Sequence, residues 1–375
     1  MNMMDGMLEA VNKSIDELIK PNAPRKNTIK DNMDELCDIL EEEILKADST
    51  DDEKRAMLKR LRTFCNTETN IMLVGATGCG KSSTINALFS VNENNKGDDN
   101  TEENDNKSIF AEIAKVGSKS DPETKDIEKY KIGNLILWDT PGLGDGTQTD
   151  EHHKDVITEL LREETDGKAL IDLVLVILDG STRDLGTSYK LLNEVIIPEL
   201  KNEKNRILVA LNQADIAMKT GRHWDYVNNE PDDTLINYLE DKVESIKHRI
   251  KQDSDLDIEP IYYCAGYKEE NGDVVNPYNL SKLLYYIMES LPAQKRVAVM
   301  EGINTDSDNY KYSEDDEFNE KIKDSFINCI DYIGEGVDNG AEIGGRILGT
   351  PGKYIGAIVG GIIGCVREFL DEIFM

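Results

Sequence analysis

A glycine-rich segment with the spacing G-x-x-x-x-G-K-S constrains this chain more than any other feature. It spans residues 75–82, directly after an apolar run at 71–74, and a segment of helical pattern follows at 83–89. Glycines let the backbone curl so that successive N–H groups point at one anion, and the next helix adds its partial positive charge. The pattern therefore predicts a strand, a phosphate-binding loop and a helix, in that order.

Two side chains of this loop have predicted roles. Lys81 would neutralise β/γ-phosphate oxygens, and the hydroxyl of Ser82 would bind Mg²⁺. The alternative is a glycine-rich turn with a chance Lys-Ser pair, which the flanking strand and helix patterns disfavour. The predicted nucleotide-binding residues of the loop are Gly75, Ala76, Thr77, Gly78, Cys79, Gly80, Lys81, Ser82 and Ser83.

A second motif, D-T-P-G, ends another predicted strand at residues 139–142. The carboxylate of Asp139 can reach Mg²⁺ through water, and the N–H of Gly142 can meet the γ-phosphate. The motif therefore predicts a site that senses the terminal phosphate of a nucleotide.

Two further strand ends indicate which base is bound. Asp215, in an N-Q-x-D motif, can accept both N–H groups on the Watson–Crick edge of guanine, a pair that adenine lacks. The amide of Asn212 can address the O6/N7 side, and a backbone N–H in a small-residue turn can contact O6. The predicted base-side residues are Asn212, Gln213, Asp215, Cys264 and Ala265.

Each of these short motifs is weak evidence alone, since N-x-x-D is more often a turn or a helix cap. Together, in this order and each at a strand end, they favour guanine. An ATPase in which the base motifs occur by chance remains an alternative.

The phrases GATGCGKSSTINALF at 75–89 and DTPGLGD at 139–145 resemble bacterial Era/TrmE-type P-loop GTPases, with the closest likeness to the YfjP/YeeP-like, ribosome-binding-type group. The resemblance covers residues 70–291 and implies a Mg²⁺-dependent GTPase that binds GTP and GDP. It also implies a switch-I threonine on the metal, for which Thr124 is the candidate. The implied catalytic residues are Lys81, Thr124 and Gly142, and the implied metal ligands are Ser82, Thr124 and Asp139.

The chain departs from the family pattern at two positions. The family implies a lysine that covers the base and ties to the phosphate loop; Gln213 keeps a shorter stem without the charge, so we expect guanine preference with weaker affinity. Leu143 follows D-x-x-G, where Ras-like enzymes carry a water-orienting Gln. We therefore expect slow hydrolysis, raised by a partner, self-association or a monovalent cation. His152 and His153 are predicted to be solvated helix residues, with a catalytic role as the alternative.

The order of predicted elements indicates an α/β fold with a doubly wound, mostly parallel sheet. Strand candidates lie at 71–74, 126–132, 135–138, 171–178, 207–211 and 260–264. The predicted regions are a helical region at 1–68, a P-loop G domain at 69–292, an acidic linker at 293–314 and a helical, glycine-zipper-like region at 315–375.

Composition limits the partners. The chain carries 43 Lys and Arg against 74 Asp and Glu, a net charge of −31, which disfavours direct nucleic-acid binding because phosphate contacts need basic clusters. Six cysteines without a C-x-x-C pair are typical of reduced, cytosolic proteins and predict neither a disulfide framework nor a zinc site. No signal peptide is expected, because the N-terminal sequence is acidic early and lacks an apolar core. We expect a cytoplasmic protein, with peripheral membrane attachment left open.

Two segments outside the motifs leave alternatives open. Glycines recur every four residues at 336–344 and 352–364, a small-residue stripe that fits a helical hairpin packed on protein, a membrane-associated hairpin or an oligomerisation element. The polar insertion 92–107 is a tolerated surface loop or affects access to the site.

The predicted function is a GTP-binding switch with slow Mg²⁺-dependent hydrolysis, coupled to a protein partner or a membrane. The alternative is a GTP-dependent, self-assembling scaffold or a membrane-associated module, dynamin-like in logic.

Overall fold

Strands and helices alternate along the part of the chain that the computed structural model describes. That part comprises residues 37–38, 41–42, 44–45, 50–89, 127–144, 147–182, 186–200, 203–218, 223–268, 274–334 and 373–374. The predictions about Thr124, the insertion 92–107 and the glycine stripe at 336–364 lie outside the described residues.

The elements follow the predicted order closely. The helices are α1 (Asp51–Asn66), α2 (Lys81–Leu88), α3 (Thr147–Arg162), α4 (Gly186–Leu191), α5 (Ile197–Leu200), α6 (Asp233–Ser254), α7 (Leu280–Glu289), α8 (Ala293–Glu301) and α9 (Glu317–Gly334). The strands are β1 (Thr69–Gly75), β2 (Glu128–Ile132), β3 (Leu135–Asp139), β4 (Glu164–Thr165), β5 (Lys168–Ala169), β6 (Leu173–Asp179), β7 (Ile207–Asn212), β8 (Trp224–Asp225), β9 (Glu230–Pro231), β10 (Ile261–Tyr262), β11 (Tyr267–Lys268) and β12 (Val274–Val275). A π-helical turn at Leu192–Ile196 joins α4 to α5, and 3₁₀ turns lie at Lys204–Arg206, Ala214–Ile216 and Ser307–Asn309.

Within the described residues, the main sheet has six strands in the order β10-β7-β6-β1-β3-β2. The pairs β10–β7, β7–β6, β6–β1 and β1–β3 are parallel, whereas β2 runs antiparallel to β3. The central strands are apolar runs that are buried on both faces, as parallel strands covered by helices must be. The predicted doubly wound, mostly parallel α/β fold is confirmed.

The core lies on both faces of this sheet. Alternate residues of β1 face opposite ways, so Ile71 and Leu73 join one apolar cluster and Met72 and Val74 join the other. Helices α2, α7 and α8 contribute to the first cluster, and α3, α4 and α6 contribute to the second. This arrangement leaves the carboxyl ends of β1, β3, β6 and β7 at one edge, where ligands bind in such sheets.

The segment 293–314, predicted as an acidic linker, packs against the sheet. Val297 and Met300 of α8 are buried in the first cluster. The buried carboxylate of Glu301 accepts hydrogen bonds of 2.8 Å and 3.2 Å from the backbone and side chain of Asn134. Residues 293–301 of the predicted linker therefore form a helix whose apolar residues lie in the core.

Residues just after α8 complete the C-terminal end of helix α2. The last carbonyls of a helix have no partner within the helix. Leu88 O accepts a hydrogen bond of 2.8 Å from the N–H of Asn304 and one of 3.2 Å from the hydroxyl of Tyr310, and Ala87 O accepts one of 3.2 Å from Nδ2 of Asn309. The helix that follows the phosphate loop is therefore anchored to a segment far away in the sequence.

The cysteines correct one expectation. Cys37 and Cys65 form a disulfide, so the prediction that the cysteines are reduced is wrong for this pair. Cys65 lies in α1 and Cys37 is 28 residues earlier, a separation that gave no sequence signal. Among the cysteines with described side chains, Cys79 and Cys264 are free thiols and both are buried.

The described helices include none that is long and apolar enough to cross a bilayer.

Candidate functional site

The glycine-rich segment forms a tight loop between β1 and α2. The loop backbone is left-handed at Gly78 and Gly80, with φ of 78° and 92°. At Gly80 a Cβ would also collide with the amide nitrogen of Asn212, so only glycine fits there. Because α2 begins at Lys81, the loop and the helix N-terminus face the same space, the arrangement that binds a phosphate.

One side chain at the end of the loop, that of Ser82, contacts the D-T-P-G motif. Ser82 Oγ donates a hydrogen bond of 2.7 Å to Oδ2 of Asp139, while Oδ1 of Asp139 is buried and has no hydrogen-bond partner among the described residues. Burial raises the pKa of Asp139, and the nearby charge of Lys81 and the hydrogen bond from Ser82 oppose that shift. A hydroxyl beside an unpartnered buried carboxylate oxygen suits a hard cation such as Mg²⁺.

Lys81 lies inside the loop and is 8% exposed. Its ammonium nitrogen is 3.4 Å from the carbonyl oxygens of Gly75 and Ala76. These are long contacts, so the cation can turn toward an anion held by the loop.

The D-T-P-G motif continues as a backbone bridge to the phosphate loop. Leu143 N–H donates to Gly75 O at 3.3 Å, and Thr77 N–H donates to Leu143 O at 2.9 Å. Gly142 packs so closely on Thr77 that a Cβ there would overlap its backbone. The segment that would sense a γ-phosphate therefore touches the loop directly.

The side chain of Leu143 points into the core. It is 1% exposed and lies in the same cluster as Val74 and Ile157. It therefore does not face the space beside the phosphate loop, where an attacking water would stand.

We predict that Leu143→Gln will not create efficient hydrolysis. Burying an amide without partners costs about 1–3 kcal/mol, so the free energy of unfolding should fall while kcat for GTP stays within about threefold of wild type. Chemical denaturation and phosphate release measure the two effects, with Leu143→Met as the volume-conserving control. A large gain in kcat would mean that only the water-orienting residue is lacking.

The histidines of α3 differ from the expectation of two solvated residues. His152 is exposed, but His153 is 5% exposed, and its Nδ1 lies 3.1 Å from Gly142 O. The prediction is wrong for His153, because helix α3 turns that position onto the D-T-P-G segment.

The side chain of Asn212 joins two loops at the base side of the site. Its Nδ2 donates to Cys79 O at 3.0 Å, and its Oδ1 accepts a hydrogen bond of 2.9 Å from the N–H of Ala265. These two bonds use the amide N–H and the backbone N–H for which contacts to guanine were predicted. Asn212 thus holds the phosphate loop against the turn 264–266.

Gln213 occupies a left-handed conformation with φ of 62°. Its Nε2 donates to Gly78 O at 2.8 Å. The tie to the phosphate loop that the family resemblance implied for lysine is therefore kept, without a charge.

Asp215 presents one unpaired carboxylate oxygen in a buried position. Its Oδ1 accepts from Sγ of Cys264 at 3.2 Å, whereas its buried Oδ2 has no partner in the described part of the chain. Burial raises the pKa of this carboxyl, and hydrogen bonds from Cys264 and nearby backbone N–H groups oppose the shift. An orphaned acceptor next to a loop of small residues fits a ligand that supplies N–H donors.

Sequence reasoning missed two supporting side chains. Ser188 of α4 is buried, and its Oγ accepts a hydrogen bond of 3.1 Å from Ala76 N–H in the phosphate loop. Lys242 of α6 donates to Gly180 O at 2.5 Å, and Gly180 N–H in turn donates to Asn212 O at 2.7 Å. Both lie outside motifs on helices that only tertiary packing brings to the site.

Comparison with known families fits this geometry. Residues 70–213, which contain the phosphate loop, the D-T-P-G motif and Asn212, match the family model described as 50S ribosome-binding GTPase. The chain contains a P-loop G domain. No curated protein sequence matches the chain.

Solved G domains are similar at low identity. A probable GTP-binding protein EngB is 18% identical, with 59% of this chain and 98% of that one covered and a TM-score of 0.32. Toc33 from Arabidopsis thaliana, in complex with Mg²⁺ and GMPPNP, is 15% identical, with 61% and 89% covered and a TM-score of 0.37. Era from Aquifex aeolicus, bound to GDP and AlF₄⁻, is 17% identical, with 60% and 57% covered and a TM-score of 0.31.

Proposed function

We propose that this protein binds GTP and GDP with Mg²⁺, hydrolyses GTP slowly and acts as a molecular switch. The observation that carries the proposal is the buried Oδ2 of Asp215, just after β7, which has no hydrogen-bond partner among the described residues. The Watson–Crick edge of guanine offers two adjacent N–H donors, which a carboxylate can accept together, and adenine does not.

The phosphate side of the proposal rests on Lys81, Ser82 and Asp139. The Ser82 hydroxyl and the Asp139 carboxylate would hold Mg²⁺, with Thr124 as a further ligand by family resemblance. The bound ion would neutralise charge on the β/γ-phosphate oxygens. Lys81 would contribute a second positive charge from within the loop, and the N–H of Gly142 would meet the γ-phosphate.

Slow turnover follows from the position of Leu143. Its side chain is apolar and packed in the core, so it cannot orient an attacking water. We expect a partner, self-association or a monovalent cation to raise the rate. Direct nucleic-acid binding is not part of the proposal, given the net charge of −31.

We also propose that the nucleotide state of this protein is coupled to a protein partner or a membrane. The segment that anchors helix α2, through Asn304 and Tyr310, is followed seven residues after Tyr310 by α9, which ends two residues before the glycine stripe begins at residue 336. A change at the phosphate loop can thereby reach the C-terminal region. We propose a cytoplasmic location, with peripheral membrane attachment through 336–375 as an alternative. Membership of the Era/TrmE-type, YfjP/YeeP-like group belongs to the same proposal.

A nucleotide-binding panel tests the proposal. GTP and GDP should bind the full chain in Mg²⁺, and ATP should bind at least about a hundredfold more weakly, because a site built to pair with N–H donors rejects a base that lacks them. Isothermal titration with each nucleotide gives the affinities, and EDTA should weaken GTP binding. Equal affinity for ATP would instead support an ATPase with chance base motifs.

A further inference from the structure

Helix α3 holds the segment 142–144 by two side chains. Nδ1 of His153 lies 3.1 Å from Gly142 O, and Oδ1 of Asp150 accepts a hydrogen bond of 2.8 Å from Gly144 N–H. A carbonyl oxygen only accepts hydrogen bonds, so Nδ1 of His153 is the donor. Asp150 and His153 are three residues apart and therefore lie on one face of α3. The helix thus contacts the backbone on both sides of Leu143.

The phosphate loop contacts the same segment from the opposite side. Leu143 exchanges backbone hydrogen bonds with Gly75 and Thr77, and Gly142 packs against Thr77. Residues 142–144 therefore lie between the phosphate loop and helix α3 and contact both. Neither His153 nor Asp150 belongs to a nucleotide-binding motif.

We propose that His153 is a positioning residue that holds Gly142 in place for the γ-phosphate and links occupancy of that position to helix α3. The inference rests on the proposed function, because it requires GTP at this site. His153 is buried, so removing its donor leaves the Gly142 carbonyl oxygen without a hydrogen-bond partner among the described residues and frees the Gly142 backbone to turn.

The inference predicts different effects on the binding of GTP and of GDP. GDP lacks the phosphate that the N–H of Gly142 would meet, so its binding should not depend on how Gly142 is held. A ligand shifts a conformational equilibrium only by its differential affinity for the two states. His153 should therefore affect GTP affinity selectively.

The test compares affinities of full-length variants for GDP and for a non-hydrolysable GTP analogue, by fluorescence titration in Mg²⁺. His153→Ala should lower the affinity for the analogue about fivefold to thirtyfold and leave the affinity for GDP within about twofold of wild type, as the loss of one buried hydrogen bond implies. His153→Asn should recover most of the loss, since its Nδ2–H branches from the same position as Nδ1–H of histidine.

His152→Ala is the matched control, because His152 is the exposed neighbour on the same helix, and it should change neither affinity. Asp150→Ala should also lower the ratio of the affinity for the GTP analogue to the affinity for GDP. The test therefore does not depend on one variant folding. An unchanged ratio in both His153→Ala and Asp150→Ala, or an equal loss for both nucleotides, would overturn the inference. Failure of the wild type to bind GDP would remove the proposed function as well, and that result is distinct from normal GDP binding with an unchanged ratio.

Discussion

Lys81→Ala should lower GTP affinity by about a thousandfold. The ammonium group of Lys81 lies within the phosphate loop, 3.4 Å from two of its carbonyl oxygens, and the side chain is almost fully buried. Two unit charges 4 Å apart interact by about 4 kcal/mol at an effective dielectric constant of 20, which corresponds to about a thousandfold in affinity. Isothermal titration with GTP in Mg²⁺ measures the loss.

Lys168→Ala provides the matched control for this substitution. Lys168 is an exposed lysine in strand β5, so its removal should leave GTP affinity unchanged. Thermal unfolding without nucleotide should show that both variants are folded, because Ala is a good helix former at the first position of α2. Tight GTP binding by folded Lys81→Ala would mean that this loop does not hold the phosphates.

Asp215→Asn should shift base preference from guanine to xanthine. Two hydrogen bonds to a charged acceptor contribute about 3–6 kcal/mol, so GTP affinity should fall by about 10²–10⁴. Xanthine carries a carbonyl at C2 in place of the amino group of guanine. The amide of Asn can donate to that carbonyl and accept from N1–H, so xanthosine triphosphate should bind the variant more tightly than GTP does. Competition titrations against a labelled guanine nucleotide measure both changes.

The same variant should remain folded. Burial raises the pKa of Asp215, so its ionised form is disfavoured in the folded state above the unfolded pKa, and at pH 7 a neutral amide avoids that penalty. Asp241→Asn makes the same chemical change at an exposed position of α6 and should alter neither base preference nor stability. If Asp215→Asn keeps the GTP preference of the wild type, Asp215 does not read the base.

The fold was predictable from the sequence at the strands that are buried on both faces of the sheet. Strands such as β1, β6 and β7 are continuous apolar runs, and the phosphate-loop spacing fixes which strand precedes which helix. The segment 293–314 was not predictable from composition, because α8 buries residues such as Val297 while its acidic residue Glu301 is satisfied by Asn134.

Candidate site residues were predictable where one loop carries several of them. Gly80 has the positive φ that the glycine-rich turn needs. The contacts of Ser188, Lys242 and His153 were not predictable, because each arises from packing between a helix and a loop distant in sequence. Even within a motif, the contacts of a side chain were not fully predictable. The amide of Asn212 was predicted to contact guanine, but its hydrogen bonds go to protein backbone.

The anchoring of helix α2 by a distant segment has a consequence for biosynthesis. Asn309 lies 222 residues after its partner Ala87, so the phosphate loop leaves the ribosome long before the groups that complete its helix. At 5–20 residues per second this delay is on the order of 10–40 s. A nascent chain would therefore carry helix α2 without these anchors until residues 304–310 have been translated.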